Sequence, residues 1–319
     1  MLRECVESLL AQSVSDWEQI VVDDGSDTPA QEVLADFKDP RIRILRQPHL
    51  GISRLTDTYN FALENARGNI IAILEDDDLW PARKLECQMP AFEESDVIFS
   101  WGAVQLIDFQ RKPLGCMPGK KENVAPWVRE NNPPGRILSE LLLRNIIPAS
   151  TVMIRKQSLL DIGGFQGRGL LYVDYPTWLA LSLKGRFAFC SEVCGLWRIH
   201  ANQTTSTRTI EQQEAAGRLA LECFDQLSAD TKRLLGLSRR TVMKANLDRI
   251  AQGHLWRGRL SEIAHRRSEA RMDFMQAWRK GKPATRTKAS AAILLTAFGA
   301  NLEKYVKLFG GIPFRADLN

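Results

Sequence analysis

Four consecutive acidic residues, Glu75 to Asp78, directly follow an apolar run from Ile70 to Leu74. A run of this kind is typical of a strand buried in a parallel sheet, and such sheets bind ligands at the carboxyl ends of their strands. Adjacent carboxylates repel one another, and a hard divalent cation with oxygen ligands compensates that repulsion. A cation held there would bridge and neutralise a diphosphate. The alternative is a solvated acidic loop, against which the preceding strand and the following Trp80 argue.

A second acidic segment, Asp23 to Asp27, follows the apolar residues Ile20 to Val22. A carboxylate at a strand end can accept hydrogen bonds from a nucleobase N–H or a ribose hydroxyl, and Gly25 permits a sharp turn after it. Ser and Asp are also favoured as N-cap residues. An acidic turn that caps a helix is therefore an equal alternative for this segment.

Helices and strands alternate along roughly the first hundred residues. Apolar residues at helical spacing take turns with short apolar runs that fit buried strands. Helices are expected at 2–10, 33–37, 55–66 and 85–92, and strands at 20–22, 42–45, 70–74 and 97–101. This alternation predicts βαβ units and an α/β fold with a mostly parallel sheet. Both acidic segments then fall at strand ends, where a binding site is expected.

The second half of the sequence is less regular. A polar, proline-rich loop is expected from 108 to 134, followed by a return of apolar residues and a strand at 151–154. Beyond about residue 207 the pattern is helical and rich in arginine up to the last residues.

The positive charge is concentrated in this helical part. From Lys232 to Lys288 there are 16 Lys or Arg residues and four Asp or Glu residues, a balance of +12, so the rest of the chain carries −7 of the net +5. This asymmetry predicts an anionic partner, which would be lipid headgroups, nucleic acid or a polyanionic substrate. A solvated helical face is the alternative.

Composition excludes several classes of protein. The 319 residues are 44% hydrophobic and 25% charged, as in ordered globular chains. No apolar stretch of about 18 residues occurs, and no charged segment followed by an apolar one opens the chain, so neither a membrane span nor a secretory signal is expected. The six scattered cysteines match neither a zinc site nor a disulfide framework. We therefore expect a cytoplasmic protein with reduced cysteines.

An ordered set of motifs resembles the nucleotide-binding half of family 2 glycosyltransferases over residues 1 to 203. The motifs are Ala11-Gln12-Ser13, the DDGSD stretch, Gly51 to Asn60, Glu75 to Trp80, Asn145 to Arg155, Gly163-Gly164-Phe165, Val173-Asp174 and Trp197 to His200. The resemblance implies a GT-A fold, which is a Rossmann-like, mostly parallel sheet flanked by helices. It would occupy residues 1–207, followed by a basic helical extension at 208–319.

The resemblance also implies roles for four aspartates. Asp24 matches the aspartate that recognises the base, and Asp77 matches the metal-binding residue of the D-x-D motif, with Asp76 beside it at the diphosphate. Asp174 matches the general base that deprotonates the acceptor hydroxyl. An inverting transfer needs such a carboxylate on the face opposite the leaving diphosphate. Taken alone, Asp174 before Tyr175 is more typical of a helix cap.

Three further residues are candidates on weaker grounds. His200 stands where the family often has a histidine near the phosphates or metal, although a lone histidine is more often structural. Arg54 can pair with a phosphate as a charged donor, but its spacing to Asn60 is longer than in the usual motif. Trp101, at a strand end, is a candidate for the sugar or acceptor pocket, and a core position is an equal alternative.

The sequence departs from the family at three places. Glu75 stands where the family usually has Asp, and Val173 replaces the acid that precedes the base. Family members usually open with a strand of the type V-S-V-I-I-P-x-Y-N, whereas Met1 begins inside the helix that follows it. Without that strand, its neighbours would expose unpaired backbone groups. We therefore expect an in-frame segment that encodes the strand upstream of Met1.

The sequence as a whole predicts an inverting glycosyltransferase of the hexosyltransferase type. It would use Mg²⁺ or Mn²⁺ to move a sugar from a nucleotide-sugar donor to a glycan or lipid-linked acceptor. Its basic helices would favour peripheral association with the inner face of a membrane, where lipid-linked acceptors lie. The alternative function is a non-catalytic nucleotide-sugar-binding or interaction protein. Nucleic acid is not an expected partner, because aromatic residues are not interleaved with the basic ones.

Overall fold

The computed structural model describes residues 1–117, 124–168, 170–200 and 209–302. Within this part the chain divides into two compact units. The first consists of described residues from Met1–Leu141 and Asn145–Ile199, and the second of Leu142–Arg144 with His200 and residues 209–302. The predicted boundary between residues 207 and 208 lies at the edge of a segment outside the described residues, so it stays a prediction.

The first unit contains seven strands and eight α-helices among its described residues. The strands are β1 Gln19–Asp23, β2 Ile42–Arg46, β3 Ile70–Ala72, β4 Val97–Ile107, β5 Pro113–Met117, β6 Met153–Arg155 and β7 Arg186–Arg198. The helices are α1 Leu2–Leu10, α2 Ala30–Val33, α3 Leu55–Asn65, α4 Lys84–Gln88, α5 Pro126–Arg129, α6 Leu138–Leu141, α7 Lys156–Leu160 and α8 Asp174–Leu181. Short 3₁₀ turns lie at Ile52–Arg54, Met89–Glu93 and Ala149–Thr151.

The strands form two sheets, of which one is parallel and the other is mixed. One sheet is the parallel pair β1 and β2, in register from Gln19 opposite Ile42 to Asp23 opposite Arg46. The other has the order β3-β6-β4-β5, and β7 runs parallel to β4. Its other three pairings are antiparallel because β6 enters between β3 and β4 in the opposite direction and β5 returns along β4. The predicted α/β architecture is present, and the parallel pairs are β1–β2 and β4–β7.

The prediction of a loop from 108 to 134 was wrong for the first part of this segment. Strand β4 continues to Ile107, and β5 pairs with it in an antiparallel hairpin. The turn is closed by Asp108, whose Oδ1 accepts hydrogen bonds from the backbone N–H groups of Gln110 and Lys112 at 3.0 and 2.8 Å. Pro113 hid this strand, because proline is tolerated only at the first position or the edge of a strand, and β5 uses it at the first position.

The two sheets lie on either side of a cavity, with β1 along one side and β3 along the other. In the part of the chain that the structure describes, no strand pairs with the edge of β1 away from β2 or with the edge of β3 away from β6. Glu18, just before β1, accepts hydrogen bonds from the backbone N–H groups of Arg67 and Gly68, just before β3, at 2.5 and 3.2 Å. The amino ends of the two strands therefore lie together.

This inter-sheet cavity measures about 1080 Å³. Its walls are the apolar side chains of β1 and β3, and α1 contributes Leu2, Cys5 and Leu9. At the carboxyl end it is lined by Asp24, Glu75 and Asp76. The two acidic segments that the sequence placed at strand ends thus meet at one edge of one cavity.

A hydrophobic core cluster lies beside this cavity and shares four of its five residues with the cavity lining. Trp80 packs in a buried cluster with Leu9, Leu85, Phe92 and Met153, so the helix after the acidic run is fixed to the core. The Trp80 ring nitrogen also donates a hydrogen bond of 2.8 Å to the carbonyl of Ser150. A buried indole N–H needs a partner of this kind, and the pair holds the end of the acidic loop rigidly.

The second unit is built from helices. Its described helices are α9 Thr209–Gln226, α10 Ala229–Leu235, α11 Arg239–Ile263, α12 Arg267–Lys280 and α13 Pro283–Ala297. Ser228 and Ser238 cap α10 and α11, because each hydroxyl accepts a hydrogen bond from the backbone N–H three residues later. A Cβ on Gly258 would approach the Phe274 ring to 2.5 Å, so glycine is what lets α11 and α12 pack closely. Among the described helices none is both long and apolar enough to cross a bilayer.

Candidate active site

The turn after β1 is ordered by its own first aspartate. Asp23 is buried, and its carboxylate accepts hydrogen bonds from the backbone N–H groups of Ser26 and Ala30 at 2.8 and 3.0 Å. Gly25 has a φ of +70°, and a Cβ there would meet the His49 backbone nitrogen at 2.7 Å. Asp23 therefore orders the turn into α2, whose N-cap residue is Pro29, and Asp24 lies at the edge of the cavity.

Asp24 is hydrogen-bonded to the loop that precedes the 3₁₀ turn at Ile52–Arg54. Its carboxylate accepts hydrogen bonds from the backbone N–H groups of Leu50 and Gly51, both at 2.9 Å, and from the Gln47 amide at 2.7 Å. Burial opposes ionisation, but these donors together lower the pKa of Asp24. Asp24 is therefore a charged acceptor at the cavity edge, and its contact with a nucleobase stays a prediction.

The outer two carboxyls of the acidic run are held by the protein. Glu75 Oε1 accepts a hydrogen bond of 2.5 Å from the Tyr59 hydroxyl. Asp78 is buried and accepts hydrogen bonds from the Ser150 hydroxyl and, at 3.0 Å, from the backbone N–H of Arg198. Asp78 thereby ties the acidic loop to β7, and it is not placed as a ligand for anything in the cavity.

Burial also changes the protonation of these two carboxyls. Burial raises the pKa of Glu75 to about 7, assisted by the charges of Asp77 and Asp76 and opposed by the Tyr59 hydrogen bond. Burial and the charge of Asp77 raise the pKa of Asp78 to about 8. Protons on these outer carboxyls relieve part of the repulsion for which the sequence had invoked a cation.

The central two residues, Asp76 and Asp77, are the ones that the sequence predicts to contact a metal and a diphosphate. Asp76 is exposed and Asp77 is half-buried. Within the described ranges, no group of three or more His, Cys, Asp or Glu side chains is arranged to hold a metal ion. Two carboxylates fit Mg²⁺ or Mn²⁺ when substrate phosphates and water supply the other ligands, which is how Mg²⁺ is usually held.

Arg198 positions the acidic loop, a role that the sequence had not revealed. Its guanidinium is almost fully buried and donates 2.9 Å from Nε to the Asp77 carbonyl, 3.1 Å from Nη1 to the Phe109 carbonyl and 2.8 Å from Nη2 to Glu4. An arginine within an otherwise apolar strand end, Gly195 to Ile199, is the signal that indicates such a buried ion pair.

We expect Arg198→Gln to lower the free energy of unfolding by about 3 kcal/mol, since it leaves carbonyls and a carboxylate without their buried donor. Arg111→Gln is the matched control, because Arg111 also binds Glu4, at 2.6 Å, but is 54% exposed. Its loss should cost less than about 1 kcal/mol. Urea unfolding measures both, and equal losses would contradict the positioning role.

Helix α3 joins the acidic run to the Gly163-Gly164-Phe165 motif. The Tyr59 ring packs edge-on against Phe165 with centroids 5.2 Å apart. Asn60 exchanges two hydrogen bonds with the Phe165 backbone, at 2.7 and 3.1 Å. A Cβ on Gly164 would approach Asn60 Oδ1 to 2.4 Å, so glycine at this position is what lets the Asn60 side chain of α3 pack against the motif.

Asp174 is the first residue of α8 and lies near this group. Its Oδ2 accepts a hydrogen bond of 2.8 Å from the Asn145 amide. Burial raises the pKa of Asp174 to about 6, although the Tyr175 backbone N–H and Asn145 favour the charged form. Its charge in turn contributes to the raised pKa of Glu75. A carboxyl with a pKa just below neutral is suited to general base catalysis, and this role stays a prediction.

Arg54 and Trp101 both contact other protein groups in the structure. The Arg54 guanidinium is 60% exposed and pairs with Asp57 at 2.6 Å. Trp101 is fully buried, donates a hydrogen bond of 2.9 Å to the Arg129 carbonyl and packs edge-on against Phe189. Trp101 therefore belongs to the core, because strand β4 continues past it, and its position gives no support to a role in a sugar pocket.

His200 falls in the second unit, at its first residue after β7. The side chain is buried. Its predicted role near the metal or phosphates stays a prediction.

The family of the chain is decided by its first half. Residues 1–161, half of the 319, match the profile of Glycosyl transferase family 2. The chain belongs to this family. The matched residues contain both acidic segments and all the residues that line the cavity except Phe165, while Asp174 lies beyond them.

Curated relatives of this family 2 chain include proteins from three bacteria. An uncharacterised protein of Mycobacterium tuberculosis is 27% identical over 215 residues, which are 66% of each chain. The Escherichia coli UDP-Glc:α-D-GlcNAc-diphosphoundecaprenol β-1,3-glucosyltransferase WfgD is 25% identical over 205 residues, 64% of this chain and 74% of WfgD. The putative teichuronic acid biosynthesis glycosyltransferase TuaG of Bacillus subtilis is 27% identical over 215 residues, 65% of this chain and 77% of TuaG.

Solved structures share the fold of this family 2 chain. TarS of S. aureus, residues 1–349 in complex with UDP-GlcNAc, superimposes with a TM-score of 0.56 at 13% identity over 95% of this chain and 87% of TarS. The mannosyltransferase PcManGT of Pyrobaculum calidifontis, in complex with GDP-Man and Mn²⁺, gives 0.55 at 17% identity over 94% of this chain and 83% of PcManGT. These likenesses confirm the predicted GT-A fold.

Proposed function

We propose that this protein transfers a sugar from a nucleotide-diphosphate sugar to a glycan or lipid-linked acceptor, as an inverting enzyme of the hexosyltransferase type. The observation that carries the proposal is the inter-sheet cavity of a family 2 chain, where Asp24, Glu75 and Asp76 line one edge at the carboxyl ends of β1 and β3.

The donor would lie across this acidic edge. Asp24 is charged and would accept a hydrogen bond from the base or ribose. Asp76 and Asp77 would hold Mg²⁺ or Mn²⁺ at the diphosphate, and Arg54 is a further candidate for a contact with the phosphates. When bound, the ion supplies Lewis-acid stabilisation of the leaving diphosphate. Arg198 holds the loop that carries both aspartates.

Asp174 would take the proton from the acceptor hydroxyl. Its pKa of about 6 keeps it ionised at neutral pH and still basic enough to accept a proton. The Asn145 hydrogen bond fixes one carboxylate oxygen and leaves the group oriented. As the proton leaves, the hydroxyl oxygen would attack the anomeric carbon on the face opposite the diphosphate. The bond from that carbon to the diphosphate oxygen would break, so that the nucleoside diphosphate leaves and the configuration inverts.

The relatives support the acceptor class. WfgD is named for transfer to a diphosphoundecaprenol-linked sugar, and TuaG for teichuronic acid biosynthesis. A glycan or lipid-linked acceptor of cell-envelope polysaccharide synthesis is therefore proposed here. The enzyme would act in the cytoplasm, on the inner face of the membrane.

The test is metal-dependent nucleotide binding. We expect one of UDP, GDP, dTDP and CMP to bind with Mn²⁺ and at least about tenfold more weakly without it, measured by calorimetry. UDP is the first candidate, because UDP sugars appear with both WfgD and TarS. Asp77→Ala should abolish the metal-dependent part, and Asp230→Ala, which removes an exposed carboxylate in α10, should not. No binding by a folded protein would contradict the donor site.

A non-catalytic binding protein is the second candidate. It is favoured by the engagement of Glu75 and Asp78 within the protein. Release of nucleotide from its sugar with an added acceptor separates the two functions. Binding without turnover would favour the non-catalytic function.

A further inference from the structure

One face of α12 presents large apolar side chains to solvent between two arginines. Met272, Met275 and Trp278 are 63%, 46% and 50% exposed. They share this face with Arg271 and Arg279, because positions i, i+1, i+4, i+7 and i+8 lie on one side of a helix. We call these five residues the α12 stripe. Exposed apolar side chains gathered on one face mark an interaction site more often than scattered ones do.

The acidic residues of α12 do not cancel the charge of the stripe. Asp273 is buried on the opposite side, where Arg257 pairs with it at 2.6 Å and His254 hydrogen-bonds to it at 2.8 Å. Glu269 lies within 3.4 Å of Arg266, at the start of the helix. The α12 stripe is therefore apolar along its middle and positive at its flanks.

Helix α13 adds to the same character within the second unit. Leu294, in the last turn of α13, and Phe298, directly after the helix ends, are 59% and 85% exposed. At its other end, the Arg286 guanidinium lies 5.9 Å from the centroid of the Trp278 ring. Both helices thus present apolar side chains beside cationic ones.

We infer that the α12 stripe, with Leu294 and Phe298, docks on an anionic lipid surface. The apolar side chains enter the boundary between headgroups and acyl chains, while the arginines remain with the headgroup phosphates. Trp278 is the residue type that membrane interfaces favour. The +12 balance from Lys232 to Lys288 supplies the complementary charge. This inference deepens the proposed function, because a lipid-linked acceptor lies at such a surface.

A second copy of the chain is a poorer occupant. A twofold contact places the same patch of both subunits together. Arg271 and Arg279 would then face the arginines of the other copy, with no acid on the stripe to compensate. On an anionic membrane, the same arginines would instead contact negatively charged lipid phosphates.

Co-sedimentation with vesicles tests the inference without any turnover, so that its failure is separate from a failure of transfer activity. The full chain should bind vesicles of phosphatidylcholine with 30% phosphatidylglycerol (about one lipid in three) and bind pure phosphatidylcholine at least about tenfold more weakly. Arg271→Glu with Arg279→Glu, and separately Met275→Ser with Trp278→Ser, should each lower the partition coefficient about tenfold or more. Lys38→Glu with Lys184→Glu, exposed in the first unit, changes the net charge equally and should leave binding within about twofold.

A second measurement reports on insertion itself. Brominated lipids should quench part of the tryptophan fluorescence, and Trp278→Phe, which keeps the apolar contact, should bind normally but lose that part of the quenching. Circular dichroism establishes that every variant is folded. Unchanged vesicle binding in both stripe variants would overturn the inference. It would also be overturned if the protein did not bind vesicles but formed a dimer at higher concentration, and if Met275→Ser with Trp278→Ser abolished that dimer.

Discussion

Asp174→Asn is expected to lower the rate of sugar transfer by about 10²- to 10⁴-fold and leave nucleotide affinity unchanged. The amide cannot accept the proton of the acceptor hydroxyl, but it retains the shape of the carboxyl and its contact with Asn145. The donor nucleotide is proposed to bind at Asp24, Asp76 and Asp77 instead. Transfer rates measured beside nucleotide titrations check both parts.

The same substitution is expected to stabilise the fold at alkaline pH. Burial raises the pKa of Asp174 to about 6 from an ordinary value of 3.8, so ionisation is less favourable in the folded chain than in the unfolded one. The penalty is absent below about pH 4, grows between about 4 and 6, and is complete above that range. Allowing for the solvent that the half-buried carboxyl still contacts, it is on the order of 2 kcal/mol.

Thermal melts at two pH values separate this effect from a general change in packing. Asp174→Asn should melt several degrees above wild type at about pH 8, and the difference should vanish near about pH 4. Asn145→Ala is the companion variant. It removes a donor that favours the charged form, so the acidic limb of the transfer rate should move to higher pH. A limb that stays in place would show that Asp174 is not the group that titrates.

The position of the candidate site could be predicted from the sequence, because it follows from local pattern. An apolar run that stops at a cluster of acids marks a strand end, and parallel strand ends meet at one edge. Asp24 and Asp76 do line one cavity. The different roles of the four acidic residues could not be predicted in this way. It depends on Ser150 and Arg198, which are 72 and 120 residues from Asp78.

Trp101 and the β4–β5 hairpin show the same limit in the fold. An aromatic residue at an apparent strand end has equal reason to line a pocket or fill a core, and the choice is made by Phe189 and Arg129 from other elements. Proline suggested a loop at Pro113, whereas pairing with β4 placed it at the start of a strand. In each case the deciding contact comes from a distant part of the sequence.

An extended apolar segment joined ahead of Met1 is expected to stabilise the protein by occupying the inter-sheet cavity. The carboxyl edge of that cavity lies beside the start of α1, because Glu4 binds Arg198, which donates to the Asp77 carbonyl. A strand placed between β1 and β3 would therefore end where α1 begins. It would pair with both edges that carry no strand in the described part of the chain.

The expected gain is several kcal/mol. About eight new backbone hydrogen bonds at roughly 1 kcal/mol each, and four buried aliphatic side chains at roughly 2 kcal/mol each, oppose about 12 kcal/mol for ordering seven residues. The balance, on the order of 4 kcal/mol, corresponds to a rise in melting temperature of about 10 °C. Nucleotide binding should tighten as well, because the added strand would hold the edges that carry Asp24 and Asp76 at a fixed spacing.

The design needs a matched control of equal length. A seven-residue Val/Ile-rich segment with a short loop to Met1 is compared with a Gly/Ser segment of the same length, which cannot pair or bury side chains. Hydrogen exchange should show new protection at Ile20 to Val22 and at Ile70 to Ala72 in the first protein and none in the second. If the melting temperature and the exchange at both edges matched those of the control, the cavity would not accept a strand. The donor itself could then enter the space between the sheets and reach Asp24 and Asp76 from between β1 and β3.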